Sequence, residues 1–244
     1  MSNFVAAAFD TVRRRTLDAA RRALPQRCAL CARHSGAELV CAGCVRGLPR
    51  IEDACPVCAL PGCGGAVCGS CLAHAPPFDA TLSAFAYAFP VDRLIQAFKY
   101  HGRLALADWC AAAIVAARVQ AAMPERIHIV PMPLAAQRQR ERGFNQAAEI
   151  ARAVAQRMGL PVLETGVDRI RATAAQADLP WGERAANVRG AFACTADLSG
   201  MTVGVVDDVM TTGATLAEFA RTLKAAGATR VENWVVARTP PPSR

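Results

Sequence analysis

A chain of 244 residues has room for one full hydrophobic core and a small attached module. Its 53% hydrophobic content, rich in Ala and poor in aromatics, is ordinary globular usage. The main candidate for a membrane span, Ala111 to Ala117, is cut by Arg118 and too short for one. The formal net charge of +8 invites a polyanionic partner, but that figure counts all 11 cysteines as neutral.

At the start of the chain Phe4, Val5, Phe9, Val12 and Leu17 recur at roughly helical spacing. They alternate with Arg13, Arg14, Arg15, Arg21, Arg22 and Arg27, opposed only by Asp10 and Asp18. An amphipathic basic helix is predicted over 1–27. The simpler reading packs its stripe on the body with a solvated charged face; the sharper one gives it nucleic acid or an acidic partner. No apolar core of a secretory signal is visible, so a cytoplasmic location is expected.

Cys28-x2-Cys31-x9-Cys41-x2-Cys44 is followed by the same spacing in Cys55-x2-Cys58-x9-Cys68-x2-Cys71. A Cys-x2-Cys turn aims two thiolates at one ion, and two turns complete a closed tetrahedral zinc site. Two structural zinc ions are therefore expected over 28–74, in sequential or interleaved pairing. Few large apolar residues are present there to fold the segment without metal. Cys63 breaks the repeat as a spare thiol or substitute ligand. His34 and His74 read as loop residues, and Cys110 and Cys194 as small buried hydrophobes. Each zinc held by four thiolates adds about −2, which brings the net charge to about +4 and weakens the polyanion argument.

Ala75-Pro76-Pro77 reads as a stiff linker into a domain over 78–238. Alternation over Leu82–Phe89 suggests a strand, and Val91–Tyr100 and Leu104–Ala121 suggest helices separated by His101-Gly102. Ile127–Val130 is a strand, Gly143–Met158 a helix, Thr202–Val206 a strand, Ala214–Ala226 a helix and Arg230–Ala237 a strand. The alternation implies an α/β fold with a parallel sheet flanked by helices. The proline-rich tail, 239–244, cannot continue it.

Ligands on such sheets sit beyond the carboxyl ends of the strands. After Val130 come Pro131-Met132-Pro133-Leu134, then Arg138, Arg140 and Arg142 before Gly143-Phe144-Asn145-Gln146. Arginines gathered near a helix start make sense beside an anion, such as a pyrophosphate. The segment from Arg169 and Arg171 through Gln176 to Arg184 is long, polar and aperiodic. It reads equally as a mobile flap or as a surface excursion.

After the apolar run Val203-Gly204-Val205-Val206 come Asp207-Asp208, then Val209-Met210-Thr211-Thr212-Gly213-Ala214-Thr215. Successive backbone N–H groups and hydroxyls opening a helix form an anion cradle. Two carboxylates beside it would repel a bare polyphosphate, but they suit a sugar diol whose 5'-phosphate the loop holds. The segment resembles the phosphoribosyl-pyrophosphate (PRPP) loop of type I phosphoribosyltransferases.

Pro131-Met132-Pro133, Arg138-x-Arg140-x-Arg142-Gly143-Phe144-Asn145-Gln146-Ala147, Phe98-Lys99-Tyr100-His101-Gly102 and the series Gln176, Arg184, Asn187, Gly190, Phe192 are similar to the ComF family. With the paired cysteine sets, the resemblance runs from about residue 28 to 237. It implies a type I phosphoribosyltransferase-like sheet behind a double zinc ribbon, and a role in DNA uptake by competent bacteria. PRPP with Mg²⁺ would be the ligand, and single-stranded DNA and DNA-uptake proteins the partners. Asp207 and Asp208, the catalytic candidates, would hold the ribose, Thr211, Thr212, Gly213, Ala214 and Thr215 the 5'-phosphate, and Arg138, Arg140 and Arg142 the pyrophosphate side, with Met210, Pro131 and Met132 also among the PRPP-binding residues. Arg169, Arg171, Gln176 and Arg184 would belong to a flap. Two functions remain open: a PRPP-binding protein acting on DNA, and a transferase moving ribose 5-phosphate to a base or other nucleophile.

Overall fold

The computed structural model describes residues 26–118, 126–171 and 187–240. The basic N-terminal helix expected over 1–27 lies almost wholly outside the described residues, as do Gln176 and Arg184. The chain divides into two compact units, 1–48 and 49–244.

In the smaller unit, β1 (Gln26–Arg27) pairs antiparallel with β2 (His34–Gly36), and α1 (Ala42–Arg46) follows. The cysteine spacing governs the backbone here. Ala32 takes a left-handed φ of 57°, and its N–H donates to Cys28 O at 2.9 Å. In the larger unit, Ala59 repeats this turn at φ 55°, donating to Cys55 O at 2.8 Å. Cys68 then begins α2 (Gly69–Ala73) from an extended conformation, as Cys41 begins α1.

Four parallel strands form the centre of the larger unit, in the order β3 (Ala80–Ala86), β8 (Arg230–Arg238), β7 (Thr202–Met210), β4 (Ile127–Pro131). The helices are α3 (Val91–His101), α4 (Ala105–Arg118), α5 (Ala136–Arg142), α6 (Gln146–Met158) and α7 (Ala214–Ala225). A short antiparallel pair, β5 (Val167–Arg169) and β6 (Phe192–Cys194), completes the described elements.

Strand side chains alternate between faces, and the two faces bury different partners. Val203, Val205, Val231 and Val235 join Leu216, Phe219, Ala220 and Leu223 of α7 in one core cluster. The opposite face carries Trp234 and Glu232, which meet Arg118 of α4: the guanidinium lies 5.4 Å from the Trp234 ring and 3.2 Å from Glu232 Oε2. Gly204 makes room on that face, since a Cβ there would sit 3.1 Å from Ile129 Cδ1 and 3.4 Å from the indole. Alanines of α4 and α6 are buried against each other and the sheet, and small side chains permit such close helix approach. That accounts for the Ala-rich, aromatic-poor composition.

Two boundaries differ from the sequence pattern in ways that shape the site. The helix expected over Gly143–Met158 begins at Gln146, and a separate α5 precedes it. Gly143 ends α5 at φ 78°, where a side chain would be strained, and Asn145 caps α6 by accepting from Ala147 N at 3.0 Å. The strand expected to stop at Val206 runs on to Met210, because β8 pairs with it as far as Met210 beside Arg238. Neighbouring β4 stops at Pro131 opposite Val206, so the stretch from Asp207 onward has a strand on one side only.

Candidate functional site

A cavity of about 850 Å³ opens at the carboxyl ends of β3, β4 and β7. Met132 and Pro133 follow β4, Arg138 and Arg142 come from α5, Gln146 from α6, and Asp207, Asp208, Thr211 and Thr215 from the β7–α7 junction. Tyr87 and Lys99 close the side nearest β3 and α3.

Strand alternation sends the two adjacent carboxylates in different directions. Asp208 meets Lys99 of α3, with Nζ 2.9 Å from Oδ2 and both side chains largely buried. Burial disfavours the Lys99 ammonium, but Asp208, with Asp207 behind it, outweighs this and holds its pKa above the usual value. Asp207 Oδ1 accepts from Asp208 N at 2.8 Å. Burial and the neighbouring Asp208 charge push Asp207 up to about 7, against the opposing pull of Lys99 and Arg169.

At the loop, Gly213 starts α7 at φ 82°, and a Cβ there would lie 2.6 Å from Met210 Cε. Met210 thus fills the core below the loop with its side chain, 2% exposed, and does not line the cavity. Thr212 Oγ1 accepts from Ala214 N at 3.2 Å. Among the described residues the N–H groups of Thr211, Thr212 and Gly213 donate to no protein atom. Such a row of donors at a helix start suits an anion.

The second group of donors is built by Asn145. Its side chain donates to Met132 O at 3.1 Å while capping α6, which fixes the loop after β4 to the helix start. Arg142 donates to Gln146 Oε1 at 3.1 Å and lies 5.3 Å from the Tyr100 ring. Gln146 is 2% exposed, and its Nε2 has no partner among the described residues. Arg169 of β5 lines the same cavity. Burial, then the like charge of Arg138, lowers its pKa, while Asp207 acts the other way.

Of the residues expected from sequence, Asp207, Asp208, Thr211, Thr215, Met132, Arg138, Arg142 and Arg169 converge on the cavity. Pro131 ends β4 as a buried strand residue, Arg140 is exposed away from the cavity, and Arg171 donates to Asn187 O at 3.1 Å. Thr212, Gly213 and Ala214 shape the loop without lining the wall. Lys99, Gln146 and Tyr87 were missed as site residues. The available signal was the place of Lys99 and Gln146 within the family-like runs Phe98–Gly102 and Arg138–Ala147.

Eight cysteines form two tetrads, Cys28, Cys31, Cys41, Cys44 and Cys55, Cys58, Cys68, Cys71, each with its sulfurs within 4.8 Å of one another. The pairing is sequential, and Cys63 belongs to neither. Tetrahedral Zn–S bonds of ~2.3 Å require sulfurs about 3.8 Å apart. Cys31 and Cys41 stand at 3.8 Å and Cys58 and Cys68 at 3.6 Å. The sulfurs of Cys28 and Cys55 each accept a backbone N–H at 3.3 Å, from Cys41 and Cys68. Both tetrads therefore fit zinc with a closed shell, which leaves no position for catalytic water.

Residues 19–72 match the double zinc ribbon domain family, and 144–242 match the phosphoribosyl transferase domain family. The chain is 34% identical over 205 residues to DNA utilization protein YhgH of Salmonella typhi, covering 82% of this chain and 90% of that one. It belongs to the ComF family. Competence protein F of Haemophilus influenzae is 30% identical over 214 residues, with 82% of this chain and 90% of that one covered. Competence protein ComFC of Bacillus subtilis is 26% identical over 210 residues, with 83% and 85% covered. Among the described residues no helix is long and apolar enough to cross a membrane.

Proposed function

We propose that this ComF protein binds PRPP with Mg²⁺ in the cavity at the strand ends and acts in DNA uptake by handling single-stranded DNA. The carrying observation is the set of groups that share one cavity: Thr211 and Thr215 of the loop, Asp207 and Asp208, and Arg138, Arg142 and Arg169. That combination suits a ligand with a 5'-phosphate, a diol and a pyrophosphate. Asp207 and Asp208 accept from the ribose hydroxyls, and Lys99 offsets their charge so that a polyanion is tolerated. Arg138, Arg142 and Gln146 Nε2, which has no partner among the described residues, take the pyrophosphate oxygens. Mg²⁺ bound with the ligand would supply neutralisation of the pyrophosphate charge. The DNA role is inferred from relatives named for DNA utilization and competence. Zinc ribbons and the basic N-terminal segment supply the chemistry for phosphate contacts.

One observation favours a transferase reading. The same cavity carries Tyr87, Tyr100, Phe144 and Gln96, an aromatic wall with one amide on which an acceptor base could stack. Calorimetric titration of PRPP with and without Mg²⁺ tests the binding proposal. Asp207→Ala with Asp208→Ala abolishes the heat in a still-folded protein if it is correct, and unchanged affinity refutes it. Pyrophosphate release against a panel of bases then separates transfer from binding alone.

A further inference from the structure

Arg238 closes β8, is 5% exposed, and reaches two structures that the sequence separates widely. Its Nε donates to Cys58 O at 2.9 Å, the carbonyl that follows the second ligand of the second cysteine tetrad. Its Nη1 donates to Met210 O at 3.3 Å, to Thr239 O at 2.6 Å and to Thr211 O. Met210 and Thr211 open the loop whose Thr211, Thr212 and Gly213 N–H groups donate to no protein atom among the described residues.

A trans peptide points its C=O and the following N–H in opposite directions. Holding the carbonyls of Met210 and Thr211 on the Arg238 side therefore turns the N–H groups of Thr211 and Thr212 the other way. Met210 O is held as well by Thr239 N at 2.9 Å, so it is the Thr211 carbonyl, and with it the direction of the Thr212 N–H, that depends on the guanidinium bound to the cysteine turn. Packing reinforces the link. Val57 and Cys58 lie against the core cluster containing Met210 and Phe78, and a Cβ on Gly213 would touch both of those side chains.

We infer that Arg238 is a positioning residue coupling the second zinc ribbon to the ligand loop, so that zinc at Cys55, Cys58, Cys68 and Cys71 and PRPP in the cavity stabilise each other. The inference rests on the reading of the cavity as a PRPP site. Coupling of this kind is reciprocal: if the zinc turn orders the loop, an ordered loop must retain the zinc.

The test uses the full-length zinc-loaded protein. PRPP with Mg²⁺ is first titrated calorimetrically, and zinc release to a chromogenic chelator is then followed with and without saturating ligand. Cys31→Ser, which removes the first site, assigns the two release phases. The expected result is that ligand slows loss of the second zinc about five- to tenfold and leaves the first unchanged. In Arg238→Gln the protection disappears and PRPP binds roughly tenfold more weakly. Arg238→Lys, which keeps the charge but cannot span both carbonyls, also loses the protection.

Wild-type protein that binds PRPP yet releases its second zinc at an unaltered rate overturns the coupling without touching the binding proposal. Undiminished protection in Arg238→Gln overturns the role of this residue. A wild type that shows no calorimetric binding removes both proposals together. The wild-type comparison decides the coupling even if the Arg238 variants fail to fold.

Discussion

Lys99 Nζ sits 2.9 Å from Asp208 Oδ2, a contact made only by bringing α3 over the end of β7. Truncating one partner of a largely buried pair leaves the other charge uncompensated. Lys99→Met is expected to lower unfolding free energy by about 3 kcal/mol, read from urea denaturation. It should also weaken PRPP binding, because the acidic pair would then face the ligand's phosphates unscreened. Asp208→Asn made on top of Lys99→Met should recover part of the stability but none of the affinity.

Asp207 carries a pH signature. Burial and Asp208 raise it to about 7 in the folded chain, while the unfolded value is near 3.9. Between these values the folded state binds the extra proton. Its stabilising contribution is therefore complete below about pH 4 and is lost as pH rises through about 7, at up to ~1.4 kcal/mol per pH unit. The difference in stability between wild type and Asp207→Asn, measured by urea melts from pH 4.5 to 8, isolates this slope. PRPP affinity should move the other way, rising from pH 6 to 8 as the carboxylate ionises to accept the diol.

The arginines after β4 should separate sharply. Arg138 and Arg142 line the cavity, whereas Arg140 points to solvent. Loss of a charge-assisted hydrogen bond costs about 1.5–3 kcal/mol, so Arg138→Ala and Arg142→Ala should each weaken PRPP binding by roughly tenfold or more. Arg140→Ala should leave it within about twofold, given the small effect of exposed charges. Isothermal titration of the three variants is sufficient, and equal losses at all three would contradict the assignment.

The two cysteine tetrads belong to different compact units, and their loss should differ accordingly. Metal analysis of freshly purified, reduced protein is expected to find two zinc ions. Cys58→Ser should lower the melting temperature of the unit holding the sheet by about 5 °C, near 2 kcal/mol for a unit of this size. Cys31→Ser should leave that transition in place. Calorimetric melting curves that respond identically to both would contradict the division.

A nucleic-acid surface formed with the N-terminal segment should reveal itself through salt. If Arg13, Arg14, Arg15, Arg21 and Arg22 contact phosphates, each releases counterions, and affinity for single-stranded DNA falls steeply with salt. Changing all five to Gln should flatten that dependence and spare PRPP affinity. Fluorescence anisotropy with an unstructured oligonucleotide reads the salt dependence and calorimetry reads PRPP affinity, and an unaltered slope would locate the surface elsewhere.

Local chemistry carried much of this protein in plain view. The duplicated Cys-x2-Cys spacing specifies two metal sites because each turn needs only neighbouring residues to form. The run from Val203 to Thr215 specifies strand, acidic pair and helix start for the same reason. Gly143 and Asn145 held a legible stop and start that the helical pattern obscured, since a glycine and a capping residue between two helical stretches interrupt periodicity only briefly.

What the sequence could not contain is which distant groups meet. Nothing local pairs Lys99 with Asp208, directs Arg138 and Arg142 inward while Arg140 faces solvent, or buries Met210 below Gly213. Nor does any local rule send Arg238 to the carbonyls of Cys58 and Met210, which lie 180 and 28 residues away along the chain. Strand order decides these contacts: β8 lies between β3 and β7, so its last residue emerges beside the loop and the second cysteine turn at once. Periodicity and spacing report the conformation of a segment, whereas the neighbours of a side chain are set by how the segments are stacked.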